Sequence, residues 1–337
     1  MLEKLFSKRL QKEFSASLKS LDTEDWFDRH IKRPFSFLIA WILAPTGITP
    51  NAVTIISMII GAGSTFFFMH ASYHYAGTYG LLMNLIACFM LMFADVLDCV
   101  DGQLARLTGM RSKWGRILDG SAGYVWFVPL YLGLVYRFYF HHEIEFRFLG
   151  LSDDNAVTLW VVTMIVLVLA NFAGFMGLGA QSRVVDYLIQ GHLLFEKGGE
   201  LDTADRQQKE FESKDWSGER IRQVFEKTYI PYTRKQEKDT PQFQRMMKLI
   251  NEKFGSVEKM PQELRLHFVQ GSRGVLKYAT LIPFNLSATM LYVCCLLDVP
   301  VVTFLFVIIV MGSLTHYVQS RRERLCSEMI GIISSKY

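Results

Sequence analysis

Apolar runs close to the length of a bilayer's hydrocarbon core recur along this chain, and they leave few options for how it can fold. A helix needs ~20 mostly apolar residues to cross ~30 Å of hydrocarbon. Six segments come near that length, at 51–70, 80–100, 119–137, 156–179, 277–296 and 300–318. The last two are joined by a short turn around Asp298 and Pro300. Half of the 337 residues are apolar, and the runs lack the polar punctuation of a soluble core. The expected fold class is therefore an all-α integral membrane protein with six transmembrane helices.

Charge orients the spans. Lys4, Lys8, Arg9, Lys12, Lys19, Arg29, Lys32 and Arg33 precede the first, whereas the first connection, A-S-Y-H-Y-A-G-T-Y, has no Lys or Arg. The second connection carries Arg106, Arg111, Lys113 and Arg116, and the third only Arg137 and Arg147. The fifth has no basic residue, and the tail holds Arg321, Arg322 and Arg324. By the positive-inside rule this alternation predicts cytoplasmic N- and C-termini, in the inner membrane if the cell is bacterial.

Four parts follow. Residues 1–49 form a cytoplasmic N-terminal segment, in which 21–44 reads as an interfacial amphipathic helix. Asp22 and Thr23 would cap it, and Trp26, Phe27, Phe35 and Phe37 would meet the interface. Residues 50–180 hold the first four membrane helices. Residues 181–275 form a cytoplasmic insert of mixed charge, punctuated by Pro231, Pro241 and Pro261. Residues 276–337 hold the last two helices and a basic tail. Five scattered cysteines suggest neither a disulfide frame nor a zinc site, and a net charge of +4 gives no reason to expect a nucleic-acid partner.

An acid inside a span costs roughly 2.5–3.5 kcal/mol even on the gentler insertion scale. The run D-V-L-D-C-V-D-G at the predicted cytoplasmic end of the second span therefore needs a reason. Asp98 and Asp101 are three residues apart and project from one helix face, where their charges repel unless a cation sits between them. Asp119 opens the next helix and can complete a cage. Oxygen-only ligands suit Mg²⁺ or Mn²⁺, ions that bind substrate phosphates. Arg106, Arg111, Lys113 and Arg116 lie near enough in sequence to face a diphosphate, and Gly102 and Gly115 permit close backbone approach. Acids, a divalent ion and basic residues together make a phosphoryl-transfer site. The other use for such acids is as salt-bridge partners of the loop arginines.

The spacing of Asp98, Asp101, Gly102, Ala105, Arg106, Gly115 and Asp119 resembles the signature of the CDP-alcohol phosphotransferase family, D-x-x-D-G-x-x-A-R, eight residues, then G-x-x-x-D-x-x-x-D. Pro50, Asn51 and Thr54 match a Pro-Asn-x-x-Thr signature that often opens the family's first helix. The resemblance is close over residues 45–180, extends to the last two helices by layout only, and leaves out the insert. It implies an enzyme in which an alcohol attacks the phosphorus of a CDP-linked donor, forming a phosphodiester and releasing CMP. Asp98, Asp101 and Asp119 would bind the divalent metal. Gly102, Ala105, Arg106, Gly115 and Asn51 would line the nucleotide and diphosphate pocket, with Arg111, Lys113 and Arg116 adding positive charge. The implied partners are lipid and nucleotide-linked substrates in the bilayer, and a second copy of the chain in a homodimer.

The signature's final acid is missing, because Gly123 stands in its place. In the family that acid is the favoured general base, a role that contributes typically 10²–10⁴-fold. Asp95, one turn before Asp98, and His316, near the end of the sixth span, are the candidate replacements; their plainer roles are a bundle-facing acid and a core histidine. Two further readings are open. One is a sphingolipid headgroup transferase, such as an inositol phosphorylceramide synthase drawing on a phospholipid donor. The other is a member that binds lipid or nucleotide without turnover. A transporter fits less well, since no internal repeat is visible. Inositol, inositol phosphate, glycerol phosphate, serine and ethanolamine all remain as acceptors, with Arg183, Arg273 and Lys277 as candidate contacts for an acceptor phosphate.

Overall fold

A computed structural model describes residues 8–18, 20–110, 113–151, 156–213 and 225–337, and the described residues are helical without a strand. The helices are α1 (Lys8–Ser17), α2 (Arg33–Leu43), α3 (Pro50–Met69), α4 (Tyr73–Thr108), α5 (Lys113–Phe140), α6 (Glu143–Leu149) and α7 (Ala156–Ala173). They continue as α8 (Ser182–Lys197), α9 (Ala204–Ser213), α10 (Ile230–Lys238), α11 (Pro241–Phe254), α12 (Gln262–Ala279), α13 (Asn285–Leu296), α14 (Val301–Leu305) and α15 (Gly312–Lys336). A π-helical stretch, Phe306–Met311, follows α14. The chain divides into two compact units, 1–179 with 284–311, and 180–283 with 312–337.

Five helical stretches among the described residues are long and apolar enough to cross a membrane: Pro50–Met69, Tyr73–Thr108, Leu118–Phe140, Ala156–Ala173 and Val301–Lys336. This is an integral membrane protein of all-α class. The sixth expected span, 277–296, is only partly there. Its apolar helix is α13, of 12 residues, which at 1.5 Å per residue reaches only about 18 Å. Pro283 lies in the turn that separates α12 from α13, and with no N–H and a fixed φ it cannot prolong either helix.

Local chemistry sets the starts of the two helices that matter most. Thr49 Oγ1 accepts from the Ala52 amide at 3.3 Å to cap α3, whose first residue is Pro50. Ser72 Oγ accepts from the Tyr75 amide at 3.2 Å to cap α4. The stretch 21–44 is not one amphipathic helix. A short 3-10 turn at Leu21–Thr23 is set apart by extended backbone at Glu24, and a continuous helical run follows in which the π-helical turn Asp28–Lys32 leads into α2. Ser20, not Asp22 or Thr23, accepts the first capping bond, from the Asp22 amide at 3.2 Å. Trp26, Phe27 and Phe35 are exposed, whereas Phe37 is fully buried against Phe14 with ring centroids 5.3 Å apart.

In the first unit, α3, α4, α5 and α7 share a core with α13 and α14 that includes Phe68, Leu91, Trp126, Leu130, Phe138 and Phe304. Small residues bring α3 and α5 together. A Cβ on Gly61 would stand 2.3 Å from the Trp126 ring, and one on Gly133 would stand 2.6 Å from Thr65 Cγ2. Such close approach is how apolar helices gain dispersion contact where lipid offers no hydrophobic drive. The exposed side chains Ile55, Ile59, Phe66, Leu82, Leu85 and Phe89 are the lipid-facing surface of α3 and α4.

At the end of α5 away from the acids, the fold buries a charge. Arg137, counted as a loop charge in the sequence, is 1% exposed. Its guanidinium donates to Asn84 Oδ1 at 3.0 Å and to the Cys295 carbonyl at 2.8 Å, and pairs with Asp298. Asp298, held at φ 57, also accepts from the His74 amide at 2.6 Å and from Ser72 Oγ at 3.2 Å. One ion pair thus ties α4, α5 and the α13–α14 turn. On the neighbouring α6, burial of the Glu145 carboxyl raises its pKa to about 7.

The second unit packs α8, α11, α12 and α15 around Tyr187, Phe195, Phe243, Met246, Phe268 and Met329. Arg322 is buried there, its guanidinium 4.2 Å from the centre of the Phe243 ring.

Breaking a buried ion pair from one side leaves an uncompensated charge and costs about 3–5 kcal/mol. Arg137→Met should therefore lower stability in detergent by that amount, and adding Asp298→Asn should recover a large part of it, both read from thermal or denaturant unfolding. Because Glu145 holds its proton more tightly folded than unfolded, its contribution is full below its unfolded value and is lost as pH rises towards about 7. The melting temperature of the wild type should fall over that window relative to Glu145→Gln, and a constant difference between the two would contradict this.

Candidate active site

The site is built on three helices of the first unit. Helix α3 presents Asn51 in its first turn and Thr54 one turn later. Asp95, Asp98, Asp101, Gly102, Ala105 and Arg106 follow along the last three turns of α4, and the left-handed Gly109 at φ 73 ends that helix. Gly115, Asp119 and Gly123 follow in the first turns of α5.

Asp101 is buried and accepts a hydrogen bond from Thr54 Oγ1 across the α3–α4 contact. The same Oγ1 lies 3.1 Å from the Pro50 carbonyl of its own helix, so its one proton is shared between that carbonyl and the acid. Asp98 is half-buried, with Oδ1 buried and without a hydrogen-bond partner. Asp119, exposed on α5, lies near enough for its charge to act on both Asp98 and Asp101. The structure thus places the three acids expected to bind metal within range of one another's charge. A carboxylate oxygen aimed into protein with nothing to receive it costs free energy unless a cation completes it. Hard oxygen donors of this kind fit Mg²⁺ or Mn²⁺.

Asp95 is drawn elsewhere. Its Oδ2 is 2.9 Å from Lys32 Nζ. That ammonium is 5% exposed and also reaches Asp28 Oδ1 at 2.6 Å and Asn285 Oδ1 at 3.3 Å. Asn285 in turn donates to Asp25 Oδ2 at 2.5 Å and Asp28 Oδ1 at 2.8 Å. Burial works against the Lys32 charge, but Asp95 and Asp28 outweigh it and hold its pKa well above the ordinary lysine value. Sequence reasoning missed Lys32, Asp28 and Asn285. The available signal was Asp95 itself, an acid in a span that lacked an assigned cation.

The N-terminal segment runs along the same part of α4. Ser36 Oγ donates to the Val96 carbonyl at 3.1 Å, Gln103 Nε2 donates to the Arg33 carbonyl at 3.2 Å, and Arg106 Nε donates to the Ser17 carbonyl. Gly102 gives the Arg106 side chain its room, since a Cβ there would sit 3.4 Å from the guanidinium. Ala105, Arg106, Asn51 and Gly115 are half-buried around the acids' helices. Arg111 lies outside the described residues, as do the side chains of Lys113 and Arg116. Gly123 is half-buried, and a Cβ on it would meet nothing within 4 Å, so the missing acid is not excluded by packing. His316 is exposed on α15, in the second unit, and Arg183 in that unit pairs with Asp239 at 3.3 Å.

Comparison with known proteins agrees with this geometry. The sequence profile of a family described as CDP-alcohol phosphatidyltransferase matches residues 47–185, which hold Asn51, Thr54, all three acids and Arg106. An archaetidylinositol phosphate synthase from Pyrococcus horikoshii is 37% identical over 91 residues, 27% of this chain and 42% of the relative. The match therefore spans less than half of that relative's length. Residues 47–185 are thus similar to the CDP-alcohol phosphatidyltransferase family.

Proposed function

We propose that this protein is a divalent-metal-dependent membrane phosphotransferase that joins a CDP-linked donor to an alcohol acceptor and releases CMP. The observation that carries the reading is the trio Asp98, Asp101 and Asp119, with Thr54 orienting one acid and an unpartnered buried oxygen on another. In the reaction the acceptor hydroxyl oxygen bonds to the phosphorus beside CMP, the bond from that phosphorus to the CMP oxygen breaks, and the hydroxyl proton is lost.

Asp98, Asp101 and Asp119 would hold the Mg²⁺ or Mn²⁺. When bound, the ion would neutralise the diphosphate and the developing charge on departing CMP. Thr54 holds one oxygen of the Asp101 carboxylate by a hydrogen bond. Arg106 is tethered through Nε to the Ser17 carbonyl, which sets its direction from α4. Asn51 and Gly115 are proposed to line the nucleotide side of the site. Asp95 is committed to Lys32 and is left out of proton transfer, and the acceptor proton is not assigned to a side chain.

The alternating charge of the loops supports a reading in which the acids lie at the cytoplasmic face with both termini on that side. The name of the Pyrococcus relative makes inositol phosphate the first acceptor to assay. Purified protein supplied with a CDP-linked lipid, inositol phosphate and Mg²⁺ or Mn²⁺ should release CMP and form a lipid phosphodiester. Asp98→Asn should lower that release by at least 10²-fold while leaving the melting temperature within a few degrees; full activity in this variant would overturn the reading.

A further inference from the structure

Two of the proposed metal acids, Asp98 and Asp101, stand on a helix that is gripped at one point by a buried cation. We infer that Lys32 is a positioning residue for the acid row, fixing the orientation of α4 through Asp95 so that Asp98 and Asp101 meet the metal; this rests on the reading given under Proposed function.

Four observations carry it. Lys32 lies on the π-helical turn Asp28–Lys32, yet its ammonium does not reach for water. It is buried, and its three N–H groups meet three oxygens, on Asp28, Asp95 and Asn285. Those partners come from the N-terminal segment, from α4 and from α13, so a single cation joins three parts of the first unit. Asp95 is three residues from Asp98, less than one turn, and a rotation of α4 about its axis would move both carboxylates together. The grip also gives Asp95 a task other than metal binding, leaving Asp98 Oδ1 as the buried oxygen without a partner.

A merely structural pair and a positioning pair make different demands. If Lys32 and Asp95 only stabilise the fold, neutralising both should restore every property that removing one destroys, because no buried charge is left unpaired. If the pair positions the acid row, the neutral pair recovers stability without recovering the ligand geometry. The test is Mn²⁺ titration of the full chain in detergent, read by the loss of free-ion electron paramagnetic resonance signal, with melting temperatures measured in parallel. Lys32→Met should lose stability and weaken Mn²⁺ binding by at least tenfold. Lys32→Met with Asp95→Asn should melt close to the wild type and still bind Mn²⁺ at least tenfold more weakly. Lys32→Arg, which keeps the charge, should bind closer to the wild type than either and gives a folded comparison if Lys32→Met is too unstable to purify.

Wild-type Mn²⁺ affinity in the double variant would overturn the positioning role, as would loss of binding in Lys32→Arg equal to that in Lys32→Met. Absence of Mn²⁺ binding in the wild type would instead count against the metal site itself, and the two failures are therefore distinguishable.

Discussion

Placing carboxylates in a membrane helix is the constraint on which the rest of the first unit depends. Four aspartates, Asp95, Asp98, Asp101 and Asp119, stand close enough for charge to act between them, and every one must be offset or hydrated. The protein answers with different means for different acids. Asp95 receives a fixed lysine, Asp101 receives a hydroxyl from α3, and Asp119 remains exposed. Asp98 Oδ1 receives no protein donor. The gradient from fully paired to unpaired along less than three turns is what separates scaffold from site.

The remainder of the first unit holds that row rigid without adding charge near it. Helices α3 and α5 approach closely because Gly61 and Gly133 carry no side chain, so Thr54 and Asp119 hang from a tight pair of helices. The compensating ionic group, Arg137 with Asp298, sits at the opposite end of α5 and fastens the turn between α13 and α14. Charge is confined to the two ends of the bundle, and the core between them is aromatic and aliphatic. That division follows from dielectric: buried ions repay their desolvation only where geometry and extra hydrogen bonds are complete.

Much of this was legible in the residues, and the limits have physical causes. Apolar length found α3, α4, α5 and α7, because nothing but a spanning helix uses such runs. The same criterion overran at 277–296, where apolar composition continues through a turn that Pro283 imposes. The stretch 21–44 read as one helix from its candidate caps and its aromatic residues, while the extended backbone at Glu24 separates its first turn from the helical run that leads into α2. The placement of Asp98 and Asp101 on one helix was readable because spacing on a helix decides which side chains share a face. Lys32 was not readable, since a lysine before the first span looks like any charge that obeys the positive-inside rule. Two of its three partners lie 63 and 253 residues away in sequence, and no local pattern reports contacts of that range. Arg137 was hidden in the same way, as a loop charge that proved to be core.

Gly123 gains meaning from the same balance of charge. A carboxylate at that position would add a further negative group on the helix that carries Asp119, one turn along it. Among the described residues nothing fills the space that a Cβ at Gly123 would take. Lys32, which meets the acid row at Asp95, is already committed to Asp95 and Asp28, and Arg33 is engaged by Glu24 at 2.9 Å. The chain thus keeps an additional acid at 95, with its own lysine, and leaves out the one at 123. The two positions differ in consequence. An acid held by a buried lysine shapes the helix, and an open glycine beside Asp119 leaves its volume to whatever the site receives.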